Sequence, residues 1–358
     1  MMISVTRALF RVCSAFSQGF NGRGRHVLTH KTTFSRRFAL PNFRHPCILA
    51  RRPFVIASES KGLTSGIENM LVLRLLLAMS LCFGAAVAHA ECRLGDVDAL
   101  HERASVHLPV APTAGPMPLV ILLHGSTGTG AQMLRDSHLT DTADRHGFVV
   151  VAPDGGIAAD RGFVWNIPGV ATVTGTLPPK NARDDVAYLT DLADRLVATG
   201  CVDGTRVYLT GLSGGGRMAS WLGCVAARRF AAIAPVVGLR AGRPLASDRA
   251  QADPATCRPD VPMPLLTFAG DADSTNPITG GGAPYWQYAQ TVALQRWAVL
   301  NGCAQPYARN LSATIYEQGY AHCPDGATVA ARVTRGGQHS WSVVDNEAMW
   351  TFLSRHRR

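Results

Sequence analysis

The sequence predicts an α/β fold, with a mostly parallel central sheet, helices on both faces, and one domain. Three observations carry this. Continuous apolar runs stand at Pro118–Leu123 and Phe148–Ala152, and Pro264–Ala269 is interrupted only by Thr267, as suits strands buried on both faces. Helical patterns separate these runs, which points to crossover connections. Arg206 to Trp221 passes from a β-branched run through Gly211-Leu-Ser213-Gly-Gly215 into an Ala-, Leu- and Met-rich run. That order is strand, sharp turn, helix.

The domain begins well inside the chain. Met70-Leu-Val-Leu-Arg74 opens a stretch with one positive charge, and Leu75–Ala88 is apolar and uncharged. It ends at Ala88-His-Ala90, so residues 70–90 read as a secretory signal peptide cleaved before Glu91. At 14 residues the apolar run is short for a membrane span. Residues 1–69, rich in Arg and Ser, are expected to be a non-native or disordered extension ahead of it. Residues 91–358 form the expected catalytic domain. Residues 1–90 hold 12 of the 35 Lys and Arg and 2 of the 25 acids. The rest of the chain is therefore neutral, and the basic balance is no sign of a nucleic-acid partner. Six cysteines follow the leader: Cys92, Cys201, Cys224, Cys257, Cys303 and Cys323. An even count in an exported chain predicts disulfides, with fifteen possible pairings. No Cys or His spacing suggests a metal site.

The elements follow in order. Ser105–Val110 reads as an early strand and Pro118–Leu123 as a central one. A small-residue loop, His124–Gly130, comes next. Leu139–His146 reads as a helix and Phe148–Ala152 as a strand. From Asp184, Val186, Leu189, Leu192 and Leu196 share one helical face, and Gly200 stops the helix. Asp184 and Asp185 are read as its acidic start rather than a catalytic pair. Val207–Thr210 is the strand before the sharp turn, and Met218–Arg228 the helix after it. Phe230–Pro235 and Pro264–Ala269 are strands. Tyr285–Leu300 reads as a helix, Leu311–Tyr316 and Thr328–Thr334 as strands, and Glu347–Arg355 as a last helix.

Gly211-x-Ser213-x-Gly215 in that setting is a nucleophile elbow. Its serine sits on a strained turn whose neighbours must lack side chains. A serine needs a base, and the base an orienting carboxylate, in the chain order Ser, Asp/Glu, His. Of the later histidines, His356 reads as a solvated tail and His322, beside Cys323, as structural. His339 lies in a glycine-bounded loop past a strand and is the expected base. Gly270-Asp271-Ala-Asp273 follows the strand between, and either aspartate suits the acid. Two backbone amides should hold the oxyanion: Gly214, and Ser126 or Thr127 in the loop after the first central strand. Thr127, Trp165 and Trp341 are candidate pocket residues, though a core role serves both tryptophans equally.

Leu122-Leu-His-Gly125, Val151-Ala-Pro153, Thr210-Gly-Leu-Ser-Gly-Gly215, Gly270-Asp-Ala-Asp273, Trp297-Ala-Val-Leu-Asn-Gly-Cys303 and Gly336-Gly-Gln-His-Ser-Trp341 carry a resemblance. Nearly all of residues 91–358 resembles the secreted esterases that include poly(3-hydroxybutyrate) depolymerases and feruloyl esterases. The resemblance implies an α/β-hydrolase fold and a serine carboxylic-ester hydrolase. It prefers Asp273 over Asp271, because the acid stands three residues past a glycine, although the His-Gly common before that acid is Ala269-Gly270 here. It implies disulfides Cys224–Cys257 and Cys303–Cys323, which leave Cys92–Cys201. It implies no cofactor and no metal. The expected partner is a small or oligomeric ester, acted on by a monomer outside the membrane. A serine peptidase, an acyltransferase and a non-catalytic binding homologue are the alternatives.

Overall fold

A computed structural model describes residues 104–111 and 115–358. The expectations for residues 1–69, for the signal peptide at 70–90, for Glu91 and for Cys92 lie outside the described residues. In chain order the strands are β1 (Ala104–His107), β2 (Met117–Leu123), β3 (Val149–Pro153), β4 (Ile157–Ala159), β5 (Gly162–Val164), β6 (Val202–Leu212), β7 (Ala232–Val236), β8 (Leu265–Gly270), β9 (Gln305–Asn310), β10 (Ile315–Ala321) and β11 (Val329–Thr334). The helices are α1 (Gly130–Asp136), α2 (Leu139–His146), α3 (Asp185–Ala198), α4 (Gly214–Val225), α5 (Gln290–Leu300) and α6 (Asn346–Leu353).

Nine strands form one sheet in the order β1-β3-β2-β6-β7-β8-β11-β10-β9, and β4 and β5 form a separate hairpin. Every pairing from β3 across to β11 is parallel. The antiparallel strands β1, β10 and β9 lie at the edges. Strands β2 and β3 are apolar throughout because each feeds two cores. Leu119, Ile121 and Leu123 of β2 face one core, with Leu189 and Leu192 of α3, Met218 and Leu222 of α4 and Trp297 of α5. Val120 and Leu122 face the other, with Met133 of α1, Leu139 of α2 and Trp350 of α6. This alternation within a continuous run is the two-residue period of a strand covered on both sides. The fold is an α/β-hydrolase fold in a single domain.

Several elements depart from the sequence expectation, the unanticipated hairpin of β4 and β5 among them. The helix expected from Tyr285 begins at Gln290, because Trp286 and Tyr288 stack on the buried Arg240 guanidinium instead of winding into a turn. The strand expected at Leu311–Tyr316 lies at Ile315–Ala321 and pairs with β9. β9 is exposed along most of its length, so no apolar pattern marks it. α1 begins at Gly130, where a Cβ would collide with the Ala152 carbonyl. His356 is docked rather than solvated. Its carbonyl accepts from Tyr208 Oη at 2.9 Å and its ring packs on Phe352.

Two disulfides join Cys224 to Cys257 and Cys303 to Cys323. They close separations of 33 and 20 residues, for which loop-closure entropy alone suggests roughly 3–4 kcal/mol each. The expected Cys92–Cys201 pair includes a residue outside the described ones. Among the described residues no helix is long and apolar enough to cross a membrane.

Candidate active site

β2 lies between β3 and β6, so the chain leaves β2 towards one side of the sheet and later returns on the other. Crevices for ligands form at the carboxyl ends of strands at such a switch. Ser213 follows β6 there. It has φ 55° and ψ −107°, a conformation that only a turn over-determined by its neighbours holds. Its amide donates to Val236 O (2.9 Å), and its carbonyl accepts from Arg217 N (2.9 Å). The flanking glycines are obligatory for want of space. A Cβ on Gly211 would stand 2.7 Å from Leu123 Cβ, and one on Gly215 would stand 2.2 Å from Leu123 O.

The loop after β2 runs beside this turn. A Cβ added to Gly214 would stand 2.9 Å from Ser126 N and 2.5 Å from Ser126 Oγ, so both backbones share one small space. Thr127 N donates to Phe163 O (2.8 Å) on β5 and is spent. Of the two amides that were open candidates, Ser126 therefore carries the available one. Gly214 N begins α4, where first-turn amides have no intrahelical acceptor. His124 braces this loop, a role the sequence reading missed. Its Nε2 accepts from Gly155 N (2.9 Å), which puts its proton on Nδ1, donated to Gly125 O (2.7 Å). Burial pushes its pKa down, so it stays a neutral strut. The sequence signal was the Leu122-Leu-His-Gly125 motif itself. Trp165 stacks on His124, and its Nε1 donates to His124 O (2.9 Å). Trp165 also borders a small cavity with Ser126, Gly214 and Arg217. Thr127 lines a more open cleft of about 520 Å³. The core reading describes Trp341, which packs in the cluster with Met349 and Trp350 and donates to Asn346 Oδ1 (3.1 Å).

Asp273 and His339 meet past β8 and β11. His339 Nδ1 donates to Asp273 Oδ2 at 2.8 Å. Asp273 Oδ1 accepts from Thr275 N and Asn276 N, each 2.8 Å. Burial pushes the Asp273 pKa up, but the bonds from His339, Asn276 and Thr275 prevail and hold it below the ordinary carboxylate value. Asp271 is exposed and serves the loop instead, accepting from Gly336 N (2.7 Å). The two loops are pinned by Asp271 N to Thr334 O and Ala272 N to Gly337 O. Asn276, unremarked in the sequence, links the halves of the site. Its Nδ2 donates to Val237 O (2.7 Å), one residue beyond the carbonyl that holds Ser213. Asp273-Ser-Thr-Asn276 is an Asx-turn pattern that could have drawn attention to it. Among the described residues no hydrogen bond joins Ser213 Oγ to His339.

Asp184 caps α3 through Val186 N and Ala187 N, as its acidic start suggested. Asp185 is fully buried, pairs with Arg183 and accepts from Gly156 N and Asn166 N. Among the described residues no His, Cys, Asp and Glu cluster could hold a metal. The site thus holds a hydroxyl on a strained turn, an imidazole oriented by a buried carboxylate, and the Ser126 backbone close against Gly214. Those are the parts of acyl transfer by a serine.

Residues 103–254 match the family model described as "Esterase PHB depolymerase". The match covers the Ser213 turn and ends before β8. The chain is 28% identical over 244 residues to feruloyl esterase B of Piromyces equi, covering 66% of this chain and 41% of that protein. It is 30% identical over 151 residues to poly(3-hydroxybutyrate) depolymerase of Ralstonia pickettii, covering 40% and 28%. It thus spans less than half the length of these relatives. The solved acetyl xylan esterase from Aspergillus awamori superposes with a TM-score of 0.51 at 14% identity, over 70% of this chain and 93% of that one. That likeness concerns the fold.

Proposed function

Taking that match as the premise, we propose that the protein is a serine hydrolase of carboxylic esters. Ser213 Oγ attacks the ester carbonyl. His339 Nε2, the nitrogen left over from the Asp273 bond, takes the serine proton and returns it to the leaving alcohol. Asp273 keeps the His339 proton on Nδ1 and steadies the imidazolium. The Ser126 and Gly214 amides receive the oxyanion. Water, activated by the same imidazole, then releases the acid from the acyl-enzyme. The Ser–His contact forms as the ester binds, since such bonds are often long without substrate.

The observation that carries this reading is the buried Asp273 carboxylate on His339 Nδ1. Through Asn276 and Val237 it is tied to the turn that presents Ser213. The named relatives act on feruloyl esters and poly(3-hydroxybutyrate), so esters of hydroxybutyrate, ferulate or acetylated xylan are the proposed substrates. The disulfides suit an oxidising compartment and support the proposal of export. The test is Ser213→Ala against wild type on p-nitrophenyl butyrate, with fluorophosphonate labelling of both. Turnover should fall roughly 10⁶-fold and the label should vanish, with an unchanged circular-dichroism spectrum. A label that persists in the variant sinks the assignment.

A further inference from the structure

Two arginines beside the Ser213 turn are buried without a counter-charge. Arg217 lies one helical turn past Ser213 and is 5% exposed; Arg240 is 7% exposed. Arg217 Nη2 reaches Ser126 Oγ (3.2 Å), its guanidinium lies over Tyr285, and its Nε is buried with no acceptor. Arg240 gives Nε to Leu239 O and Nη1 to Tyr288 O, while its Nη2 is buried with no acceptor. Among the described residues neither forms an ion pair. Arg183, by contrast, meets Asp185 at 2.7 Å. Burial lowers both pKa values, to about 10 each, so both groups remain cationic at neutral pH. A buried cation with unspent donors is costly unless something anionic completes it.

Arg217 and Arg240 line one narrow cleft of about 20 Å³ with Ile167, Val170, Trp221 and Tyr285. An adjoining cavity of about 10 Å³ shares Ile167, Val170 and Arg217 and reaches Ser126 and Gly214. The two cavities together run from Ser126 and Gly214 to the two arginines. We propose that Arg217 and Arg240 form an anion subsite beside the nucleophile, and that the preferred ester carries a free carboxylate. Each cavity holds about one water, which suits the edge of a planar carboxylate rather than a tetrahedral phosphate. The proposal deepens the ester-hydrolase reading and rests on it for the nucleophile.

The experiment compares mono-4-nitrophenyl glutarate with 4-nitrophenyl valerate, which differ by a terminal carboxylate. The wild type should favour the glutarate ester about tenfold or more in kcat/KM, and Arg240→Met should bring the ratio to about one. A wild-type ratio of one or less, or a ratio that the variant leaves unchanged, overturns the proposal. Should Arg240→Met not fold, wild-type valerate hydrolysis serves. Glutarate must then inhibit competitively where glutaramide does not, and equal inhibition overturns it. If neither ester is turned over, calorimetry of glutarate with the intact protein separates the two ideas. Binding upholds the subsite while the hydrolase reading falls, and no binding removes both.

Discussion

Replacing Asp273 by Asn, with Asp271→Asn as its control, tests the acid of the site by its hydrogen bonds. Asn at position 273 keeps one carbonyl oxygen, which can still take the Thr275 and Asn276 amides. Its NH₂ then faces His339 Nδ1, where Oδ2 accepts in the wild type. Two donors cannot share that contact, so the imidazole must carry its proton on Nε2. In that tautomer it cannot take a proton from Ser213. The same substitution in a comparable triad costs about 10⁴ in kcat, or about 5.5 kcal/mol of barrier. Asp271 is exposed and only accepts from Gly336 N, which an Asn oxygen does equally well. Its variant should stay within about threefold of wild type. The assay is kcat on p-nitrophenyl butyrate, with melting curves to verify folding. The reasoning fails if Asp273→Asn keeps a tenth of the activity, or if Asp271→Asn loses as much as its neighbour.

Gly214→Ala places a methyl 2.9 Å from Ser126 N and 2.5 Å from Ser126 Oγ. It should part the Ser126 and Gly214 amides and lower kcat by about 10²–10³ with KM little changed; an unchanged kcat in steady-state kinetics disproves their role. His356 has its pKa lowered to about 4, by burial first and then by Arg355 and Arg358. The unfolded chain therefore binds a proton below about pH 6.5 that the native state refuses until about pH 4. Stability should fall as pH drops through that window, by on the order of 1–2 kcal/mol once its partial exposure is allowed for. His356→Phe should flatten this slope in urea melts at pH 7, 5.5 and 4, and parallel slopes argue against the assignment. Together with the Ser213→Ala and glutarate experiments, these separate the nucleophile, the acid, the oxyanion amides and the anion subsite from one another.

Much of this protein is legible along the chain. The all-apolar runs of β2 and β3 announce a sheet covered on both faces, because a strand between two cores has no side free for unpaired polar residues. The Ser213 turn is legible too, since its glycines answer to contacts with the adjacent strand whatever the rest of the fold does. His339 follows from chain order and a glycine-bounded loop.

Other features are decided only when distant segments meet. Asp271 and Asp273 are equivalent in local pattern; which one is buried against His339 depends on how the β8 and β11 loops interlock. Ser126 and Thr127 differ as amide donors only because β5 comes back to claim the Thr127 N–H. The aromatic run Tyr285–Tyr288 looks helical until Arg240, some 45 residues earlier in the chain, takes two of its rings as a platform. Arg217 resembles any helix-surface arginine until burial removes its water and no carboxylate replaces it. Sequence periodicity reports which face of an element is apolar, a property of near neighbours. Charge compensation and hydrogen-bond partnership belong to whichever atoms folding brings within about 3 Å, and that is settled by tertiary contact alone.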